Sequence, residues 1–140
     1  MAAQPHSERY YLDTNTCVYI VHRRWPQVLD RLVDVPLEHI VIPTLVYAEL
    51  AAGVEGSQRV QGNREALQLF VGQYAVEPWN EAAVWEYGRQ HARLKRSGQM
   101  IGHIDLLLGC QAKVANGVMV TNNTCEFERI DGLRLENWAA

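Results

Sequence analysis

Apolar residues run along the chain in two rhythms. Five short blocks, "RYYL" (9–12), "HIVIP" (39–43), "AVEPW" (75–79), "VMVT" (118–121) and "LRLENW" (133–138), are rich in β-branched and aromatic side chains and read as strands. Between them apolar positions recur every three or four residues, the spacing that lines one face of a helix. The first helical segment starts from Thr14 or Asn15 as a cap and runs through Val18, Ile20 and Val21; Pro26 restarts a second, carrying Val28, Leu29 and Leu32. Thr44 is placed to cap a third over "LVYAELAAGVEG", and a fourth covers "REALQLFVGQY". The clearest helix begins at Asn80, a good cap, and continues through "EAAVWEYGRQHARLKRSG", with Val84, Tyr87, His91 and Leu94 at helical intervals until Gly98 closes it. "IDLLLGCQAKVANG" predicts another helix with Gly117 at its end, and "NNTCEFERI" a loop and short helix.

Strands alternating with helices, and too short and apolar to leave one face in water, imply an α/β fold with a parallel sheet covered on both sides. Sheets of this kind place ligands outside the carboxyl ends of their strands, where the strand order reverses. Asp13, directly after "RYYL", and the "TNN" after "VMV" both sit at such ends.

Composition narrows the setting. The chain of 140 residues is long enough for one domain with its own core, and no compositional shift marks a boundary, so one domain over 1–140 with a polar leader over about 1–8 is expected. With 48% hydrophobic and 21% charged residues, disorder and fibrous repeats are excluded. The leader "MAAQPHSER" lacks a signal-peptide apolar stretch, and no run approaches the roughly 20 apolar residues of a membrane span. Cys17, Cys110 and Cys125 are odd in number and show no Cys-x-x-Cys spacing, which argues against a disulfide framework and a zinc knuckle. A soluble protein of the reducing cytoplasm, away from membranes, is expected. The net charge of −3 argues against a broad basic surface for nucleic acid, but an acidic centre neutralised by cations is compatible with a local basic rim.

Four acids fall near expected strand ends or helix starts. Asp13 closes the first strand; Glu49 lies four residues from both Leu45 and Gly53, along a stripe of small and apolar residues; Asp105 opens "DLLLGCQA"; Glu126 follows "VTNNTC". Each has an ordinary reading as well. Asp13 and Asp105 suit helix caps, Glu49 a solvated helix face, and Glu126 the start of a helix. If they converge, their mutual repulsion raises their pKa values unless a cation intervenes. An oxygen-only set favours Mg²⁺ or Mn²⁺ over zinc, and such an ion activates water for attack on a phosphodiester while offsetting charge on the leaving oxygen.

The segments "YLDTNTCVYI", "TLVYAELAAGVE", "IGHIDLLLGCQA" and "VTNNTCEFERIDGLRLENW" resemble, in order and spacing, the VapC-type PIN-domain ribonuclease toxins of bacterial toxin–antitoxin modules, over nearly the whole chain from Tyr11 to Trp138. The resemblance implies a three-layer α/β/α sandwich around a parallel sheet and an Mg²⁺- or Mn²⁺-dependent endoribonuclease. It matches Asp13, Glu49 and Asp105 to the first three family acids and Glu126 to the one that follows, with Asn123 at a position that is Asp in many PIN domains. Thr14 and Thr121 match hydroxyl positions that hold a ligand water or orient a carboxylate. It also implies a tRNA or ribosomal RNA substrate, a cognate VapB-type antitoxin and a homodimer. The "TNN" segment is similar to that of toxins that cut initiator tRNA in the anticodon region.

Departures and rivals remain. Cys125 stands where many relatives have Arg, and His103 with Ile104 fills the variable pair before Asp105. His103 reads as a hydrogen-bonded helix-start residue or as an RNA contact. Arg89, Arg93, Lys95 and Arg96 crowd one helix end, either complementing its dipole or holding phosphates. Trp25, Trp79, Trp85 and Trp138 read as core or interface residues, with Trp85 off the main apolar stripe and suited to an interface. Two other functions compete: a catalytically silent PIN-fold binding module, and a phosphatase-like domain with Asp13 as nucleophile, although Asn15 breaks the Asp-x-Asp pattern expected there.

Overall fold

The computed structural model describes residues 8–140; most of the leader expected over 1–8 lies outside them. Five strands, β1 (Tyr10–Leu12), β2 (Ile40–Pro43), β3 (Ala75–Glu77), β4 (Val118–Val120) and β5 (Arg134–Glu136), form one sheet in the order β3-β2-β1-β4-β5. All four pairings are parallel. The chain moves outward from β1 through β2 to β3, then crosses back to lay β4 on the other side of β1. The reversal therefore falls between β1 and β4. The central strands are buried along their length, β2 and β4 completely, which is why their sequences are continuously apolar rather than alternating.

The helices are α1 (Thr14–Val21), α2 (Pro26–Asp34), α3 (Thr44–Glu55), α4 (Val60–Val71), α5 (Val84–Ser97), α6 (His103–Val114) and α7 (Thr124–Phe127). One group links α1 with α2 and α3, and α3 with α4; another links α6 with α5 and α7. With the sheet they make the expected three-layer α/β/α sandwich. Tyr11, Leu12, Ile42, Leu94, Leu106, Met119 and Phe127 are among the fully buried side chains of its core.

Local chemistry explains most boundaries. Pro26 is the first residue of α2, where its missing N–H costs nothing. Gly98, at φ 67°, ends α5 in the left-handed conformation. Four expectations need correction. Thr44 is the first helical residue of α3 rather than its cap, and the preceding Pro43 offers no side-chain cap. α4 starts at Val60, earlier than its apolar spacing indicates, because Gln61 bonds Glu65 at 3.0 Å and Asn63 bonds Ser57 at 2.9 Å along a polar first turn. Asn80 caps a 3-10 turn, Glu81–Ala83, that runs into α5. Gly117 does not end α6: Asn116 takes the left-handed conformation at φ 55°. Gly117 is instead required by space, since a Cβ there would lie 2.5 Å from the buried Tyr11 ring.

Candidate active site

The site is built at the reversal between β1 and β4. Asp13 leaves β1 and caps α1, accepting the Thr16 N–H on Oδ1 at 2.8 Å. The capping and site readings of Asp13 are therefore the same fact seen twice: the cap fixes the carboxylate where the strand ends. Thr121, fully buried just after β4, accepts the Asn123 N–H at 2.9 Å and hydrogen-bonds Asp13 through the same hydroxyl. Thr16, whose hydroxyl reaches the Val120 carbonyl at 3.3 Å, ties α1 to β4. Sequence reading passed over Thr16, although a residue three beyond an Asp cap is the expected donor.

A cavity of 170 Å³ opens at this point, lined by Asp13, Thr14, Asn15, Glu49, Asp105 and Asn123, with the buried Leu108 and Phe127 completing it. α3 supplies Glu49 and α6 supplies Asp105 from its first turn. Glu49 is exposed rather than buried along the stripe of small and apolar residues on its helix. What holds it is Thr14, whose hydroxyl donates to Glu49 Oε1 at 2.6 Å. Glu126, on α7, is not in the cavity wall; the Asn123 amide bridges it to the cavity, donating to Glu126 Oε2 at 3.2 Å and to Asp105 Oδ2 at 3.4 Å. Asn123 thus screens two carboxylates where a fifth acid would repel them. Cys125 is exposed on α7.

The electrostatics of the acids follow from this geometry. Burial raises the Asp13 carboxyl; the Thr121 and Thr16 hydrogen bonds pull the other way, and the charge of Glu49 adds to the rise. Burial pushes Asp105 up to about 6, helped by a hydrogen bond to Glu126 and by the charges of Glu126, Asp13 and Glu49. None of the ion pairs among the described residues involves Asp13, Glu49, Asp105 or Glu126. Acids brought together in a partly dehydrated setting with no basic partner repel one another, a conflict that a positive charge would relieve. No three of the His, Cys, Asp and Glu side chains among the described residues close into a ready chelate. The oxygen donors, and a cavity with room for about five waters, fit a hard divalent ion that keeps much of its hydration.

The basic residues of α5 divide. Arg89 pairs with Glu86 at 2.8 Å and Asp131 at 3.7 Å, and Arg93 bonds the buried Gln90 at 2.9 Å and the Arg129 carbonyl. These two hold the fold together. Lys95 and Arg96 are exposed and belong to none of the ion pairs among the described residues. No helix among the described residues is long and apolar enough to cross a membrane.

A five-stranded parallel sheet carrying acids at the β1/β4 reversal agrees with what sequence comparison finds. Residues 10–133 match the PIN domain, so the chain belongs to the PIN-domain family. Ribonuclease VapC2 of Rickettsia felis is 35% identical over 130 residues, 92% of this chain and 97% of that protein. The tRNA(fMet)-specific endonuclease VapC of Shigella flexneri is 32% identical over 131 residues, 94% of this chain and 98% of that protein. Among solved structures, DNA-bound VapBC from Salmonella typhimurium superposes with a TM-score of 0.87 at 30% identity, covering 94% of this chain and 98% of the other. Both of these curated relatives are VapC proteins.

Proposed function

We propose that the chain is an Mg²⁺- or Mn²⁺-dependent endoribonuclease toxin, silenced by a VapB-type antitoxin, with Asp13, Glu49, Asp105 and Glu126 holding the cation or its waters. The observation that carries this is the shared cleft: Asp13, Glu49 and Asp105 come from separate elements to one cavity at the sheet's reversal, where burial, and after it the neighbouring acids, lift Asp105 to about 6. When bound, the cation supplies Lewis acidity toward the scissile phosphate and lowers the pKa of attacking water. The chain's own residues do the positioning. Thr16 and Thr121 fix the Asp13 carboxylate, Thr14 fixes that of Glu49, and the Asn123 amide keeps Asp105 and Glu126 together. In-line attack by water releases 3′-hydroxyl and 5′-phosphate ends.

The names of the Shigella and Salmonella relatives as tRNA(fMet)-specific endonucleases, with the "TNN" segment at residues 121–123, support initiator tRNA as substrate. The VapBC complexes among the structural relatives support the antitoxin. A 500 Å³ apolar groove between α1, α3 and α4, walled by Val18, Val21, Leu50 and Val54, shares Thr14 and Glu49 with the acid cleft. A partner segment lying in that groove would reach the acids. The cytoplasm and a homodimer complete the proposal. A nucleophilic role for Asp13 is disfavoured, since the residue is only 6% exposed and one carboxylate oxygen is committed to the Thr16 cap.

Incubation of purified chain with total tRNA is the test. We expect Mg²⁺- or Mn²⁺-dependent cleavage abolished by chelator and reduced at least about 100-fold in Asp13→Ala and Asp105→Ala. Cleavage that survives both chelation and these substitutions would overturn the proposal, and bound but uncut RNA would favour the silent module.

A further inference from the structure

Four aromatic rings form a chain from just after β3 to the first residue of α6, two positions before Asp105. The Trp79 indole N–H donates to the Leu107 carbonyl at 2.8 Å, and its ring meets Tyr87 edge-on with centroids 6.5 Å apart. Tyr87 lies 5.7 Å from His91. His91 is nearly parallel to His103, with 12° between planes and 6.2 Å between centroids. Tyr87 and His91 are four apart on α5 and so share a face, while His103 is the first residue of α6. Exposure rises along the chain: Trp79, Tyr87 and His91 are half-buried, and His103 is exposed.

The series thus ends in an imidazole backed by protein and open to solvent. Side chains two apart on a helix diverge, so His103 turns toward His91 of α5 and does not line the cavity that Asp105 lines, although both stand in the first turn of α6. An exposed ring two positions along the chain from a cleft-lining acid suits a base neighbouring the cleaved phosphate rather than the phosphate itself. Single-stranded RNA is gripped through such faces, because every base has a π-surface and His, Phe, Tyr and Trp all stack on it. The stack against His91 orders the ring before RNA arrives, which lessens the rotamer entropy lost on binding. Lys95 lies one turn beyond His91 on the same face of α5, exposed and outside the ion pairs of the described residues. An ammonium at that spot serves a neighbouring phosphate as a point charge.

We infer that His103, held by His91, is a nucleobase-stacking subsite flanking the cleavage point, with Lys95 contacting the adjacent phosphate. This rests on the ribonuclease reading above. Nothing in it depends on the protonation of either histidine. A purely structural His91–His103 pair would instead pin α6 to α5 and leave RNA affinity unmoved.

The test uses the full chain and a fluorescein-labelled single-stranded RNA of 12 nucleotides carrying the sequence around a mapped tRNA cut, or a uridine–adenosine repeat if no cut is found. Anisotropy with Ca²⁺ in place of Mg²⁺ reads Kd without turnover, and cleavage with Mg²⁺ reads KM and kcat. His103→Ala is expected to raise Kd and KM by about 5- to 100-fold, with the loss in KM rather than kcat, and His103→Phe to restore most of the affinity. An abasic nucleotide on one side of the cut, or at successive positions of the repeat, should weaken the wild type and leave His103→Ala no weaker. Lys95→Ala should flatten the slope of log Kd against log salt by about 0.7. Wild-type Kd in His103→Ala, failure of Phe to rescue, or equal abasic losses in wild type and variant overturns the stacking subsite; an unchanged salt slope overturns the Lys95 contact. A wild type that binds the RNA but never cuts defeats the ribonuclease reading alone, since Kd still reports on stacking. A wild type that binds no RNA defeats both.

Discussion

At the scale of single residues, Asp105 carries the sharpest physical consequence. Its carboxyl is pushed up to about 6 from an ordinary 3.8 by burial, by Glu126 and by the charges of Asp13 and Glu49. The folded chain therefore binds this proton more tightly than the unfolded chain does. The resulting stability is present below about pH 4 and is lost as the pH rises through about 6. In chelator at pH 7.5, Asp105→Asn is expected to raise the thermal midpoint by a few degrees, on the order of 1 kcal/mol after discounting for the residue's partial exposure. The gain should vanish toward pH 4, and Mg²⁺ should stabilise the wild type more at pH 7.5 than at pH 5. Melting curves at both pH values with and without Mg²⁺ decide this, and a gain independent of pH would refute it. Asp13 was legible because a strand ending in an Asp cap is a local pattern. The hydrogen bond from Thr121 was legible only through the family resemblance, which gives that hydroxyl a carboxylate or ligand water to hold; no local pattern shows it, because Thr121 lies 108 residues away and meets Asp13 only when β4 pairs with β1.

Among elements, α3 joins two surfaces: Glu49 faces the acid cleft, while Leu50 and Val54 wall the apolar groove. The periodicity of "LVYAELAAGVE" showed a helix but not which neighbours it would have. Its packing against α1 and α4 creates the groove, and that packing depends on the crossovers between strands. Ala66, on α4, lines the groove away from the acids and is exposed. Ala66→Arg is expected to weaken capture of a VapB-type antitoxin by about 10-fold or more, the cost of overfilling a complementary apolar contact, while tRNA cleavage continues. Titration of cleavage with antitoxin measures both quantities, and inhibition at the wild-type antitoxin concentration would count against the groove as the binding site. The start of α4 escaped sequence reading for a related reason: its first turn is polar and is held by Gln61–Glu65 and Asn63–Ser57 bonds rather than by an apolar stripe.

For the molecule as a whole, Trp85 is 86% exposed on α5 with Val84 beside it at 40%, and a solvent-facing indole of this kind suits an interface. If it is the homodimer contact, Trp85→Arg converts the wild-type mass in light scattering from two chains to one; a monomeric wild type, or a variant that stays dimeric, rejects it. The amino-acid sequence by itself determined the strands, most of the helices and the placing of Asp13 and Asp105 at element ends, because periodicity, caps and chain-breaking residues act over a few neighbours. Tertiary structure alone decided that Thr14 holds Glu49, that Asn123 bridges Asp105 to Glu126, and that His91 backs His103. Each of these contacts joins separate elements, and which elements meet is fixed by strand order and crossover packing, which no local pattern of residues encodes.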